Sequence, residues 1–252
     1  MSARDIALLM QKLDVEGVVR RTPIHEKDNM RSAGRDEHYF SVGRDALRNI
    51  LISMVEARLF KVQRILDFPS GYGRVTRWLR AGFPEAEIHV GDIWTDAVKW
   101  AATEFRADII EGNKDFSARF DVQYDVIFCG SLLTHLPAPM GLKLLDFLRS
   151  QLSVGGIALV SACGRKNLEW ERTHFNEKVF ETPERLAELT RVYESGRYAF
   201  APYPGQTDYG RSFTPIPWFH DYVVSNPGIV MTRFSERAWD DNQDLLVLKR
   251  IS

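Results

Sequence analysis

Ile65-Leu66-Asp67-Phe68-Pro69-Ser70-Gly71-Tyr72-Gly73-Arg74 is the stretch on which the reading of this chain turns. The apolar run from Val62 to Phe68 reads as a buried parallel strand, and Pro69 ends it because proline has no N–H to give to the ladder. Gly71 and Gly73 permit backbone angles and a close ligand approach that a side chain would block. The run Arg74 to Arg80 then reads as a helix that Gly82 stops. A strand, a glycine loop and a helix in this order form the ligand-binding entry of a doubly wound α/β fold, whose ligands sit at the carboxyl ends of the strands.

The loop does not advertise a pyrophosphate. Thr76 stands where the dinucleotide fingerprint wants a third Gly or Ala, and no Gly-Lys-Ser/Thr follows. Asp67 at the strand end, beside exposed amides, suits instead a ligand that carries an ammonium and a sulfonium group. Further on, Glu87 to Val90 reads as a second strand that ends in Gly91 and Asp92. An acidic residue about twenty positions past the glycine loop is placed to accept both hydroxyls of a ribose. Thr95 then caps a helix with Val98, Ala101, Ala102 and Phe105 on one face. A third strand, Asp108 to Glu111, runs into Gly-Asn-Lys-Asp, where either Asn113 or Asp115 is placed to accept from an adenine amino group, or to make the turn.

The fourth strand, Tyr124 to Cys129, is nearly all apolar and leads into Gly130-Ser131-Leu132-Leu133-Thr134-His135. Pro139 opens a helix with Leu145, Leu148 and Leu152 inward, Gly155-Gly156 breaks it, and Ile157 to Ala162 is a fifth strand. This alternation makes a parallel sheet with right-handed crossovers the economical fold. Ahead of it, Ile6, Leu9, Met10 and Leu13 describe a short amphipathic helix closed by Gly17, and Ser41 caps a second helix facing inward with Leu47, Ile50, Leu51 and Met54.

The chain has 252 residues, 44% hydrophobic and 27% charged, enough for one substantial core in an ordinary soluble domain. A net charge of -1 argues against a nucleic-acid or anionic-membrane partner, which would draw on an excess of Lys and Arg. Met1 to Asp14 carries charges among its apolar residues, so no signal peptide is expected; no run is long enough to span a bilayer, and a cytoplasmic location is the expectation. Cys129 and Cys163 have no metal-ligand spacing and read as small buried residues; no metal site is expected.

Ile65 to Arg74 resembles motif I of the class I S-adenosylmethionine (SAM) dependent methyltransferases, with Pro69 where that family usually has its first glycine. The stretch 125–136, Asp-Val-Ile-Phe-Cys-Gly-Ser-Leu-Leu-Thr-His-Leu, resembles their motif IV region, and 152–160 their element around strand five. The last two strands, Ile229 to Ser235 and Leu245 to Lys249, resemble their antiparallel closing pair. The glycine loop, Gly-Ser-Leu-Leu-Thr-His and a late Trp-Asp-Asp-x-Gln-Asp also resemble a bacterial branch of that family. The resemblance implies a Rossmann-like, mostly parallel seven-stranded sheet with an antiparallel last strand and helices on both faces. It implies SAM as cofactor, held by Tyr39, Asp67, Pro69, Gly71, Gly73, Asp92, Ile93, Asn113, Cys129, Gly130 and Ser131. Residues 1–60 would form a helical extension over the cofactor, with Tyr39 and Phe40 contacting it or packing between helices, and 61–252 the methyltransferase domain.

Methyl transfer is an in-line displacement, so the protein must align donor and acceptor and, for a weakly acidic hydroxyl, remove a proton. His135, just past the fourth strand, is the best-placed base, since an imidazole titrates near neutrality. His174, His220, Asp241 and Asp244 are its rivals. The long connection from about 164 to 227 reads as a lid that holds the acceptor. Within it Pro183 and Pro215 open helices, while Tyr198 to Phe213 reads as loop. Tyr209 and Trp239, with Asp241 and Asp244 at the turn between the last strands, suit a polyhydroxylated acceptor, because rings cover a sugar face and carboxylates bind its hydroxyls. Trp239 serves core packing equally well. The expected reaction is O-methylation of a sugar, glycan intermediate or other small hydroxylated acceptor. The competing readings are a nicotinamide-dependent oxidoreductase and a non-catalytic partner subunit of the same fold.

Overall fold

The computed structural model describes residues 3–252. Met1 and Ser2, part of the stretch read as lacking a leader, lie outside them. Three helices precede the sheet: α1 (Ala3–Gln11), α2 (Glu16–Val19) and α3 (Asp36–Ala57). Gly17 does not close the first helix but lies inside α2, and Ser41 is an interior residue of α3. Asp36 and Glu37 occupy the first turn of α3, where their charge favours the positive end of the helix dipole. Leu47, Ile50, Leu51 and Met54 are buried on one face of α3, as their spacing predicts.

The alternating part follows as β1 (Arg64–Asp67), α4 (Thr76–Gly82), β2 (Glu87–Val90), α5 (Thr95–Phe105), β3 (Asp108–Ile109), β4 (Tyr124–Cys129), α6 (Ala138–Gln151) and β5 (Leu152–Ala162). The insertion then supplies α7 (Arg165–Thr173), α8 (Glu177–Phe180), α9 (Pro183–Glu194), β6 (Ala199–Pro202), β7 (Gly210–Phe213) and α10 (Ile216–Val224). Strands β8 (Ile229–Trp239) and β9 (Gln243–Arg250) close the chain.

Seven strands make one sheet in the order β3-β2-β1-β4-β5-β9-β8. The first five pair in parallel, and β9 runs antiparallel to both β5 and β8. This is the mostly parallel sheet with an antiparallel last strand that the sequence led us to expect. Because side chains alternate along a strand, β1 sends Ile65 to one face and Leu66 to the other, and β4 divides Val126 and Phe128 from Ile127 and Cys129. Two apolar layers result. One packs α3, α4 and α5 on the sheet through Leu47, Trp78 and Val98; the other packs α6 and α10 through Leu145, Leu148 and Phe219.

Helix α3 lies against α4 at Gly43. A Cβ there would come within 2.4 Å of both the Arg74 carbonyl oxygen and the Trp78 ring, so the approach demands glycine. The insertion has a third core of its own, made of Cys163, Leu168, Phe180, Leu186, Leu189, Ala199, Ala201 and Phe213. Residues read as loop between Tyr198 and Phe213 are in fact the antiparallel hairpin β6–β7. Burial of Ala199, Ala201 and Phe213 in that core overrides the local Tyr, Pro and Gly content, which now marks only the turn. Among the described residues, no helix is long and apolar enough to cross a membrane.

Candidate active site

The glycine loop crosses the carboxyl ends of β1 and β2. Its amides hook it down: Phe68 N–H donates to the Phe128 carbonyl, Ser70 N–H to that of Gly91, and Gly73 N–H to that of Ser70. Gly71 and Gly73 both take positive φ, 50° and 77°. A Cβ on Gly73 would strike the Phe105 ring at 2.4 Å, whereas one on Gly71 would meet nothing within 4 Å, so the loop is tight below and open above. Pro69, in cis, sets the entry to this turn.

Asp92 faces the loop. One carboxylate oxygen accepts from Gly71 N–H at 2.9 Å and the other from Trp94 N–H at 3.1 Å. A carboxylate has about four acceptor sites, so capacity remains for ribose hydroxyls. Burial raises its pKa, and the backbone donors oppose that shift. Next to it Ile93 and Trp94 are exposed, and a cavity of about 460 Å³ lined by Lys27, Asn29, Tyr72, Ile93, Trp94 and Thr95 adjoins them. His25 of the N-terminal segment stacks on Tyr72 of the loop at 4.4 Å. An aromatic lip, an oriented carboxylate and an open glycine face fit an adenosine-bearing ligand.

Other residues expected to touch the cofactor are buried or engaged with protein partners. Asp67 is 1% exposed beneath the loop, where its carboxylate accepts from the Thr76 hydroxyl at 2.6 Å. Burial pushes its pKa up to about 7. Tyr39 is equally buried, donating its hydroxyl to Asp28 at 2.6 Å, and so ties the segment before α3 to that helix. Cys129 is fully buried at the end of β4. Asn113 and Asp115 both turn to Ser117 of their own loop.

On the far side of the crevice, His135 sits on a 3-10 turn, Leu133–His135, that the insertion clamps. Tyr198 donates its hydroxyl to the carbonyls of Leu133 and Leu136, and Ser212 also donates to Leu136. His135 Nδ1 lies 2.9 Å from the Gly210 carbonyl oxygen, so the proton is on Nδ1, and Nε2 keeps its lone pair. Tyr209 stacks on the imidazole at 4.9 Å, and the Tyr203 hydroxyl is 3.1 Å from Nδ1. Burial lowers the pKa of His135, with the Arg211 charge adding to that effect and the Gly210 hydrogen bond opposing it. The ring is therefore neutral at neutral pH. Nothing in the sequence singled out Gly210: a Cβ there would fall 2.0 Å from the Ala201 carbonyl oxygen, a constraint visible only once the two strands pair.

Between these two sides lies the end of β4. Ser131, at a φ of 58°, donates its N–H to the Ser161 hydroxyl, and Gln243 accepts from that hydroxyl at 2.6 Å while donating to the Ser131 hydroxyl at 2.9 Å. Ser161, not anticipated from sequence, thus completes the support of an unusual backbone turn. Gly130 next to it is covered by Trp239, whose ring would lie 2.7 Å from a Cβ at that position. Trp239 is 3% exposed, donates its indole N–H to the Val42 carbonyl and meets Phe128 edge-on. It offers no face to an acceptor. Asp244 of β9 is 1% exposed and accepts from Arg237 N–H of β8, and Asp241 pairs on the surface with Lys166 and Arg237. The structure thus brings Gly71, Gly73, Asp92, Ile93, Gly130, Ser131, His135 and Tyr209 to the strand ends, while Trp239 ends β8, Asp241 lies in the following turn and Asp244 is in β9.

Neither a family model nor a curated protein sequence matches the chain. Solved structures do. A SAM-dependent methyltransferase from Clostridium acetobutylicum aligns with a TM-score of 0.57 at 11% identity, covering 84% of this chain and 92% of that one. The plantazolicin methyltransferase BamL, in complex with a triazolic desmethylPZN analog and S-adenosylhomocysteine (SAH), aligns at 0.58 and 14% identity, covering 99% and 97%. Magnesium protoporphyrin IX methyltransferase from Synechocystis, also with SAH, aligns at 0.51 and 14% identity over 87% and 89%. The chain has the Rossmann-like fold of the class I SAM-dependent methyltransferases.

Proposed function

We propose that the protein is a SAM-dependent methyltransferase acting on a hydroxyl of a sugar, a glycan intermediate or another small hydroxylated acceptor. The observation that carries this reading is the opposition of Asp92, oriented by the glycine loop, and His135, whose free Nε2 is fixed by the hairpin of the insertion. Bound SAM would supply an electrophilic methyl group. Asp92 accepts the ribose hydroxyls, Gly71 leaves room for the ligand, and Ile93 covers the adenine side. The neutral His135 takes the acceptor hydroxyl proton at Nε2, and the Nδ1–H to Gly210 bond strengthens as the ring becomes charged. Tyr203 and Tyr209, packed around the His135 ring, would supply aromatic surface for the acceptor.

In this reading the described part of the N-terminal extension, residues 3–60, covers the cofactor, supported by the His25–Tyr72 stack and by Arg77, which donates to the Thr22 and Pro23 carbonyls. The insertion, with its own core, is the acceptor lid. A screen with SAM carrying a labelled methyl group tests the proposal: label is expected in a glycan or small hydroxylated acceptor. Transfer to protein or nucleic acid but to no such acceptor would reject the acceptor class.

A further inference from the structure

The guanidinium of Arg74, the first residue after the glycine pair, has no hydrogen-bond or ion-pair partner among the described residues; it lies 5.8 Å from the centre of the Trp239 ring. Its surroundings are nonetheless acidic: Asp28, Asp67 and Asp240 all lie close enough to act on its charge. Each carboxylate is engaged with another donor. Asp28 takes the Tyr39 hydroxyl and Met30 N–H, Asp67 takes the Thr76 hydroxyl, and Asp240 lies 3.5 Å from His38. These charges keep the guanidinium in place while its five N–H donors stay unspent.

Position gives the donors a use. Arg74 follows Gly73, and the Trp239 ring it faces rests on Gly130, so the guanidinium lies between the ends of β1 and β4. Asp92 and the cavity beside Ile93 stand at the end of β2, on the other side of the loop. A ligand that extends from Asp92 over Gly71 therefore presents its far end to Arg74. We propose that Arg74 is the receptor for the α-carboxylate of the cofactor's amino-acid arm, gripping it through its planar fork. A fork matches a carboxylate in two parallel hydrogen bonds, which a lysine point charge does not reproduce. This inference rests on the SAM reading above and adds to it the residue that recognises the amino-acid end.

Calorimetry with SAH and with its decarboxylated analogue, S-adenosyl-3-thiopropylamine, on the full chain separates the two ideas. The wild-type protein should bind SAH about tenfold or more tighter than the analogue, as charge-assisted hydrogen bonds would give. Arg74→Met should lose that factor for SAH, bind the analogue as the wild type does, and so show no preference between them. Arg74→Lys, the milder change, should keep part of the preference, and decides the matter if the Met variant does not fold. A variant that keeps the full preference, or that weakens both ligands equally, overturns the assignment of Arg74 while leaving the SAM reading intact. Binding of neither ligand by the wild-type protein overturns both.

Discussion

The two sides of the crevice are made differently. On the cofactor side, the glycine loop, Asp92 and Ile93 lie within one short stretch of chain, and Gly71 and Asp92 meet across a single strand-to-strand register. On the other side, His135 owes its tautomer to Gly210, its ring contact to Tyr209 and its turn to Tyr198 and Ser212, all from the insertion. A site made by local sequence tolerates change in distant segments, whereas one made by a long-range clamp depends on the packing of the piece that supplies it. The insertion has its own core, so that piece can be repacked independently of the sheet.

The largest effect that tests this contrast is structural. Trp239 was a candidate acceptor platform, yet it is buried against Gly130 and Phe128 with its indole N–H satisfied. Trp239→Ala should therefore cost about 3–5 kcal/mol of stability, the scale for removing a buried large aromatic side chain. Denaturant unfolding measures it. A loss below about 1 kcal/mol, with acceptor use abolished, would return Trp239 to the acceptor side.

Next in size is the base. His135→Ala should slow turnover about a hundredfold, which is about 2.7 kcal/mol of barrier, with SAH affinity unchanged. Because burial lowers the pKa of His135, the acid limb of the wild-type pH–rate profile should fall below the ordinary imidazole value, near 6.5. A limb above that value would mean that another group sets it. The corresponding change on the local side, Asp92→Ala, should cost about 2 kcal/mol of SAH binding, the worth of hydrogen bonds to a charged group. Calorimetry showing wild-type affinity in that variant would move the ribose elsewhere. If swapping the insertion's core residues slows turnover of the protein that retains His135 but leaves SAH affinity unchanged, the contrast between the two sides stands.

Legibility in the sequence follows the same division. Strands β2 and β4 appeared with their observed bounds, because Glu87–Val90 alternates polar and apolar residues, Tyr124–Cys129 is nearly all apolar, and each runs into a glycine. The carboxyl-end position of Asp92 followed from spacing alone. Hairpin β6–β7 was not legible, because its strands are four residues each and their pairing is stabilised by Phe180 and Leu189 from elsewhere in the insertion. Asp67 shows a subtler limit. A carboxylate at a strand end was expected to face the ligand, but side-chain direction depends on the loop geometry, which turns it under Thr76. Gly130 and Ser131 were read as a stretch at the crevice; that Trp239 covers one and Gln243 braces the other depends on how β8 and β9 return to the sheet.

The smallest effect concerns Asp244, which the sequence assigned to the acceptor and which lies in β9, bonded to β8. Its carboxylate accepts from Arg237 N–H and lies where a Cβ on Gly164 would have to go. Burial pushes its pKa up to about 6, above the roughly 3.9 of an unfolded aspartate. The folded state therefore holds the proton more tightly than the unfolded chain. The resulting stabilisation is fully present below the unfolded value and is lost as pH rises through about 6. From pH 5 to pH 8 this amounts to about 1 kcal/mol. Asp244→Asn can still accept from Arg237 but cannot ionise. The difference in unfolding free energy between variant and wild type should then grow in favour of the variant by about that amount across the window. SAH binding and acceptor turnover should stay as in the wild type. A difference that is flat with pH, together with impaired acceptor use, would place Asp244 on the acceptor side of the crevice and make the turn between the last strands part of the site.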